Sequence, residues 1–134
     1  LDVGGNNVGA MVLAALGDAF AGRRCRVVQV VNPYRPETAS HAGCERMRRS
    51  IEAAAGLAVT DWAGNANLID DTTPREIVEG HAFMAALAAA SGLPLAFVTV
   101  PEPLLAEVDT AAFGCPVLPI RRQLVPPWKK ADAV

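Results

Sequence analysis

The sequence predicts an α/β fold of three layers, with a mainly parallel sheet and helices on both of its faces. Three observations carry that prediction. Short runs of β-branched and other apolar residues alternate with longer segments of helical period along the chain. No two-residue hairpin turn lies between consecutive runs, so each strand must be joined to the next by a crossover. Alanine and valine abound while aromatic residues make up only 5%, the balance of helices packed closely on a sheet. With 134 residues, 51% of them hydrophobic, the chain has the size and apolar content of one domain. We assign 1–120 to a partial α/β domain and 121–134 to a C-terminal tail.

Residues 1–3 read as the end of a core strand, which makes the chain start inside a domain; Gly4-Gly5-Asn6-Asn7 follows as a tight turn and helix cap. Val8, Met11, Val12, Ala15, Leu16, Ala19 and Phe20 recur at three and four, the stripe of an amphipathic helix closed by Gly22. Residues 27–31 (Val-Val-Gln-Val-Val) form a β-branched strand ended by Asn32-Pro33. A second helix places Cys44, Met47, Ile51 and Ala54 on one face and ends at Gly56. Residues 57–62 read as a strand and Gly64-Asn65-Ala66-Asn67 as its loop. Thr73-Pro74-Arg75-Glu76 is a strong helix start, combining a cap, a first-turn proline and a glutamate three residues on. Ile77, Phe83, Met84, Leu87 and Ala88 line that helix, and Gly92 stops it. Residues 93–100 are the next strand, left through Pro101-Glu102-Pro103. Residues 115–120 form a short edge strand, the one setting where Pro116 and Pro119 are tolerated.

A net charge of -2 creates no field that would recruit nucleic acid, and no apolar run reaches the roughly 20 residues of a membrane helix. Cys25, Cys44 and Cys115 are odd in number and far apart, with no Cys-x-x-Cys spacing; they read as reduced thiols of a cytoplasmic protein. His41 and His81 have no second ligand at helical spacing, and His81 reads as a boundary residue of its helix. No Gly-x-Ser-x-Gly elbow is present. The Arg46, Arg48, Arg49 cluster reads as a solvated helix face.

Ligands of parallel sheets gather at the carboxyl ends of the strands, and the unusual polar residues collect there. Asp2 and Gly5 have the form Asp-x-x-Gly, which suits a carboxylate holding Mg²⁺ through water and an amide reaching a terminal phosphate. The same residues also suit a plain glycine turn. Asn65 and Asn67 offer carboxamides that read a base or a carbonyl through paired donor and acceptor, or that only brace their own turn. Pro101 and Glu102 either flank a base or stop the strand. Tyr34 and Arg35 follow the strand ended by Asn32, where Arg35 faces a phosphate or solvent.

Taken in order, Leu1-Asp2-Val3-Gly4-Gly5, Val30-Val31-Asn32-Pro33, Asn65 and Pro101 resemble the ParA/MinD family of P-loop ATPases over residues 1–108. The resemblance implies a P-loop NTPase-like domain that binds ATP and Mg²⁺ and can form a homodimer. In it Asp2 would serve the metal, Gly5 would sense the phosphate, and Asn65 with the Pro101-Glu102 loop would surround adenine. The sequence departs from the family in one respect: it contains neither Gly-x-x-x-x-Gly-Lys-Ser/Thr nor a Lys-Gly-Gly phosphate loop. The expectation is therefore the later portion of such a domain, inactive alone. The alternatives are a non-catalytic α/β interaction domain and a Rossmann-like or flavodoxin-like small-molecule binder.

Overall fold

A computed structural model describes residues 1–4 and 7–124. The expected turn at Gly5-Asn6 and the tail residues 125–134 lie outside the described residues. The chain is α/β: four strands, β1 (Val28–Val31), β2 (Asp61–Gly64), β3 (Leu95–Pro101) and β4 (Val117–Ile120), form one sheet in the order β1-β2-β3-β4, every pair parallel. Helix α3 (His41–Ala55) connects β1 to β2 and α4 (Pro74–Ser91) connects β2 to β3. Two short helices, α1 (Asn7–Ala15) and α2 (Gly17–Phe20), precede the sheet.

A sheet that adds strands in one direction through right-handed crossovers collects its helices on one side. The core reflects this. Val31 of β1, Trp62 of β2, Cys44 of α3 and Met84 and Leu87 of α4 form one cluster, and Val98 and Val100 of β3 continue it against Ile77, Val108 and Phe113. Gly64 belongs to that face too: a Cβ there would stand 2.9 Å from Met84 Cγ and 3.0 Å from Val98 Cγ1. Because side chains alternate along a strand, the opposite face carries Val28, Val30, Ala63, Phe97, Thr99 and Leu118. Val28, Val30 and Leu118 are exposed on it.

The helix ends follow from local chemistry. Ser40 caps α3 by accepting from Gly43 N at 3.1 Å. Thr73 and Glu76 form the expected capping box of α4, with Glu76 Oε2 accepting from Thr73 N at 2.9 Å. Gly56 and Gly92 close the two helices at φ +68° and +74°, a conformation that disfavours any residue with a Cβ. Within α3, Arg48 is bound by Glu45 and Glu52, and Glu52 also accepts from Val59 N at 2.9 Å. Arg48 is thus used structurally, while Arg46 and Arg49 are exposed as expected.

Four expectations are corrected. The sequence predicts helices on both faces of the sheet, but among the described residues α3 and α4 pack on the same one. Residues 1–4 form no strand: Leu1 and Asp2 are exposed, and Val3 packs against the cluster of Ala10, Leu13, Ile51, Ala55 and Val59 near the amino ends of β1 and β2. The anticipated helix from Val8 to Phe20 breaks at Leu16 into α1 and α2, and it presents the other side to the core. Ala10 and Leu13 are buried, whereas Val8, Met11, Val12 and Leu16 are exposed. The strand expected at 57–62 begins only at Asp61, because Leu57 and Val59 are spent in the cluster beneath α1 and α3.

Asp61 supplies a pH-dependent element. Its side chain is 6% exposed beneath Arg26, whose Nη2 donates to Oδ1 at 2.5 Å and Nε to Oδ2 at 3.2 Å, and Thr60 Oγ1 adds a bond of 2.6 Å. The Arg26 hydrogen bonds, followed by that from Thr60, hold the carboxyl below its usual value. A depressed carboxyl stabilises the fold above the unfolded-state value of about 3.9, and the contribution is lost as pH falls through the folded value. Asp61→Asn should lower stability at neutral pH, with the gap from wild type closing below about pH 4, measured by urea unfolding across an acid series. A constant gap would reject this role.

The cysteines are free thiols, and Cys44 is fully buried, with Sγ donating to Thr38 O at 3.4 Å. Burial pushes its pKa up to about 11.

Candidate functional site at the carboxyl edge of the sheet

The loops after β1, β2 and β3 meet at one edge, and their polar side chains divide into two kinds. Most are spent on the loops themselves. Asn32 Nδ2 donates to Asn67 O at 2.8 Å, while its Oδ1 accepts from Tyr34 N at 3.0 Å and Asn67 N at 3.4 Å. Thr38 Oγ1 donates to Asn32 O at 2.7 Å. Asn67 Oδ1 in turn accepts from Ile69 N at 2.6 Å. Asn32 and Asn67 are therefore a knot joining the first two loops, and the turn-bracing role holds for Asn67. Tyr34 is also tied down: its hydroxyl donates to Glu76 O at 3.2 Å, and burial, with Glu79 and Glu76 nearby, raises its pKa. Arg35 is exposed and forms no ion pair among the described residues.

Asn65 differs. Its main chain is pinned by donation from N to Val31 O at 2.8 Å, and its Oδ1 accepts from Thr99 Oγ1 at 2.7 Å. Among the described residues, no acceptor engages its Nδ2. A half-buried carboxamide is thus held with its oxygen committed and its amine end offered. Thr99 was not anticipated from the sequence. The available signal was a single hydroxyl among Phe97, Val98 and Val100 in an otherwise apolar strand.

Pro101 ends β3, half-buried, and opens the 3₁₀ turn Glu102–Leu104. Glu102 is paired: Arg121 Nε and Nη2 donate to its Oε2 at 2.8 and 2.6 Å. Both partners are well exposed, so the pair contributes little to stability; it fastens the turn after β3 to the chain leaving β4. Arg122 similarly reaches Asp70 Oδ1 at 3.2 Å. The two histidines serve packing. His81 stacks on Phe113 with centroids 4.2 Å apart and its Nε2 lies 2.9 Å from Phe113 O; His41 Nε2 lies 3.1 Å from Phe83 O.

The edge thus unites Asn65, Pro101 and Glu102. Gly5 lies outside the described residues, and Asp2 sits beside Val3, whose packing partners are at the amino ends of the strands. Among the described residues no group of three or more His, Cys, Asp or Glu side chains is arranged to hold a metal. Of Asn65, Pro101 and Glu102, only Asn65 presents a side-chain donor, and the Glu102 carboxylate is engaged by Arg121.

No family model, curated protein or solved structure matches this chain.

The loop below the site holds one backbone outlier. Ile69 has φ +62° and is 58% exposed, held by Asn67 Oδ1 on its N–H and by Thr72 Oγ1, which donates to Ile69 O at 3.0 Å. A β-branched residue in this region costs roughly 1–2 kcal/mol, more than glycine loses in unfolded-state entropy. Ile69→Gly should stabilise the chain by about 0.5–1 kcal/mol, read as a raised melting temperature; an unchanged or lower value would show that no strain is stored there.

Proposed function

We propose that the carboxyl edge of the sheet binds the adenine base of ATP, as the base-side part of a P-loop NTPase-like domain of ParA/MinD type. The observation that carries this reading is the Asn65 carboxamide, fixed between β1 and β3 with its amine end unengaged among the described residues, at the edge where parallel sheets receive ligands. A carboxamide is the side chain that pairs with adenine through one donor and one acceptor. Pro101, the last residue of β3, supplies a rigid apolar wall, and Glu102 with Arg121 braces the turn behind it. Bound ATP would bring its own phosphates and Mg²⁺; this chain's residues hold and orient the base. The sequence has no phosphate loop, so the expected affinity is weak and the expected ATPase activity of the chain is none.

The test is a nitrogen-15 NMR titration of the 134-residue chain with ATP, with and without Mg²⁺. Shifts confined to Asn65 and its neighbours, independent of Mg²⁺, support the reading. Tight Mg²⁺-dependent binding would displace it, since that requires phosphate contacts the chain is not expected to make, and a flat titration would end it.

A second reading, an α/β interaction domain, is favoured by the open apolar face of the sheet at Val28, Val30 and Leu118 and by the exposed Val8, Met11, Val12 side of α1. It predicts concentration-dependent association in sedimentation equilibrium that Val30→Lys abolishes. A monomer at all concentrations removes the self-association form of this reading.

A further inference from the structure

We infer that the outer edge of β1 pairs with the same edge of a second copy of this chain, antiparallel about a two-fold axis at Gln29, so that the two sheets run on as one. This rests on the self-association form of the second reading above and gives it a surface and a register; it is independent of the base site.

The two edges of the sheet differ. On β4, Pro116 O accepts from Val98 N at 3.0 Å, so even-numbered main-chain groups face β3 while those of Val117 and Pro119 face outward. Pro119 thus removes an N–H from the outer row, which guards that edge against further pairing. β1 has no such guard. Val27 O and Val31 O accept from Thr60 N and Asn65 N, both at 2.8 Å, so odd-numbered main-chain groups face β2 while those of Val28 and Val30 face outward. Among the described residues no strand lies beyond them. The strand contains neither proline nor charge, and the Val28 and Val30 side chains are 36% and 57% exposed on the open face.

The register follows from what the neighbouring groups already do. Asn32, the next outward position, has its carbonyl engaged by Thr38 Oγ1 at 2.7 Å and by Arg35 N at 3.1 Å. Val28 and Val30 are the outward positions within the strand. The antiparallel register that uses both in both copies sets Val28 of each against Val30 of the other, each pair exchanging its main-chain hydrogen bonds. The two Gln29 residues then meet at the axis as the closer, non-hydrogen-bonded pair.

Two features left unresolved in a single copy are met by this pairing. On the open face, Val28 and Val30 cover one another as cross-strand aliphatic pairs. On the helix face, which Gln29 shares with Val31, the Gln29 side chain is 6% exposed and its Oε1 has no hydrogen-bond partner among the described residues. A buried acceptor without a donor is costly. A second carboxamide turned toward it across the axis supplies the N–H it lacks, since a carboxamide is donor and acceptor at once. A two-fold axis lets the same residue fill both roles.

The test follows the 134-residue chain from low to high concentration by sedimentation equilibrium and by amide hydrogen exchange in NMR. A dimer should form, with protection of the Val28 and Val30 N–H groups rising with concentration while Gln29 and Val31, whose N–H groups face β2, keep theirs. Val30→Pro removes an outward donor from each copy and no hydrogen bond inside the sheet, so it should weaken association roughly tenfold or more. If that variant does not give a folded spectrum, Val28→Pro, at the first position of the strand, carries the same comparison. Association that leaves Val28 and Val30 exchange unchanged, or that survives the proline, overturns the β1 pairing and leaves self-association through another face standing. A monomer at every concentration overturns this inference and the self-association reading together.

Discussion

Trp62→Ala should destabilise the chain by about 3–5 kcal/mol, a large share of its total stability. Trp62 is fully buried at the centre of the sheet, in contact with the cluster that joins β1, α3 and α4, and its Nε1 donates to Ser91 Oγ at 2.8 Å. Truncating a buried tryptophan removes about 3–5 kcal/mol through lost transfer and an unfilled cavity. A domain of this size has only about 5–15 kcal/mol in all. The neighbours cannot collapse into the space cheaply, because Val31, Cys44 and Met84 are anchored on three different elements. Trp62→Phe, which keeps a ring in the cavity, should retain most of the stability. Urea unfolding followed by far-UV circular dichroism measures both. An alanine variant within about 1 kcal/mol of wild type would mean that the core does not depend on this ring.

Gly80→Ala should damage the edge of the sheet from behind. Gly80 lies on the buried stripe of α4 between Ile77 and Met84, and a Cβ there would overlap Ala66 Cβ in the loop that carries Asn65. In an exposed helix the substitution would gain about 1 kcal/mol from propensity. Here the obstacle is a methyl attached directly to backbone, with no side chain to swing aside, so helix or loop must move; such overpacking costs about 1–3 kcal/mol. The overlap should win, giving a net loss of stability and a shift of the Asn65 amide signals without any ligand present. A stabilised variant with unmoved Asn65 signals would show that the loop yields freely. Paired with Gly80→Ala, Ala66→Gly should recover the loss, since it removes the atom the new methyl would strike.

The elements whose limits are set by local chemistry were legible in the sequence. The capping box at Thr73 and the glycines at 56 and 92 mark α3 and α4 because they satisfy backbone groups within a few residues of themselves. Those whose limits depend on distant partners were not. Leu57 and Val59 are apolar enough for a strand, but α1 and α3 use them elsewhere. The period of α1 correctly announces a helix and says nothing about which side meets α3; the structure buries the smaller residues Ala10 and the single Leu13. The same limit applies to the site. Asn65 and Asn67 are equivalent in a single sequence, two asparagines in one loop. What separates them is a hydroxyl 34 positions later in the chain, available only once β3 has paired with β2.

The strand order has a consequence for synthesis. Each strand pairs with the one that immediately precedes it in the chain, so the sheet can grow vectorially from β1 as the polypeptide leaves the ribosome. Among the described strands, no early one has to wait for a late one to be inserted beside it. Each arriving strand meets a template edge already formed by the one before it, and β4 carries a proline at position 119.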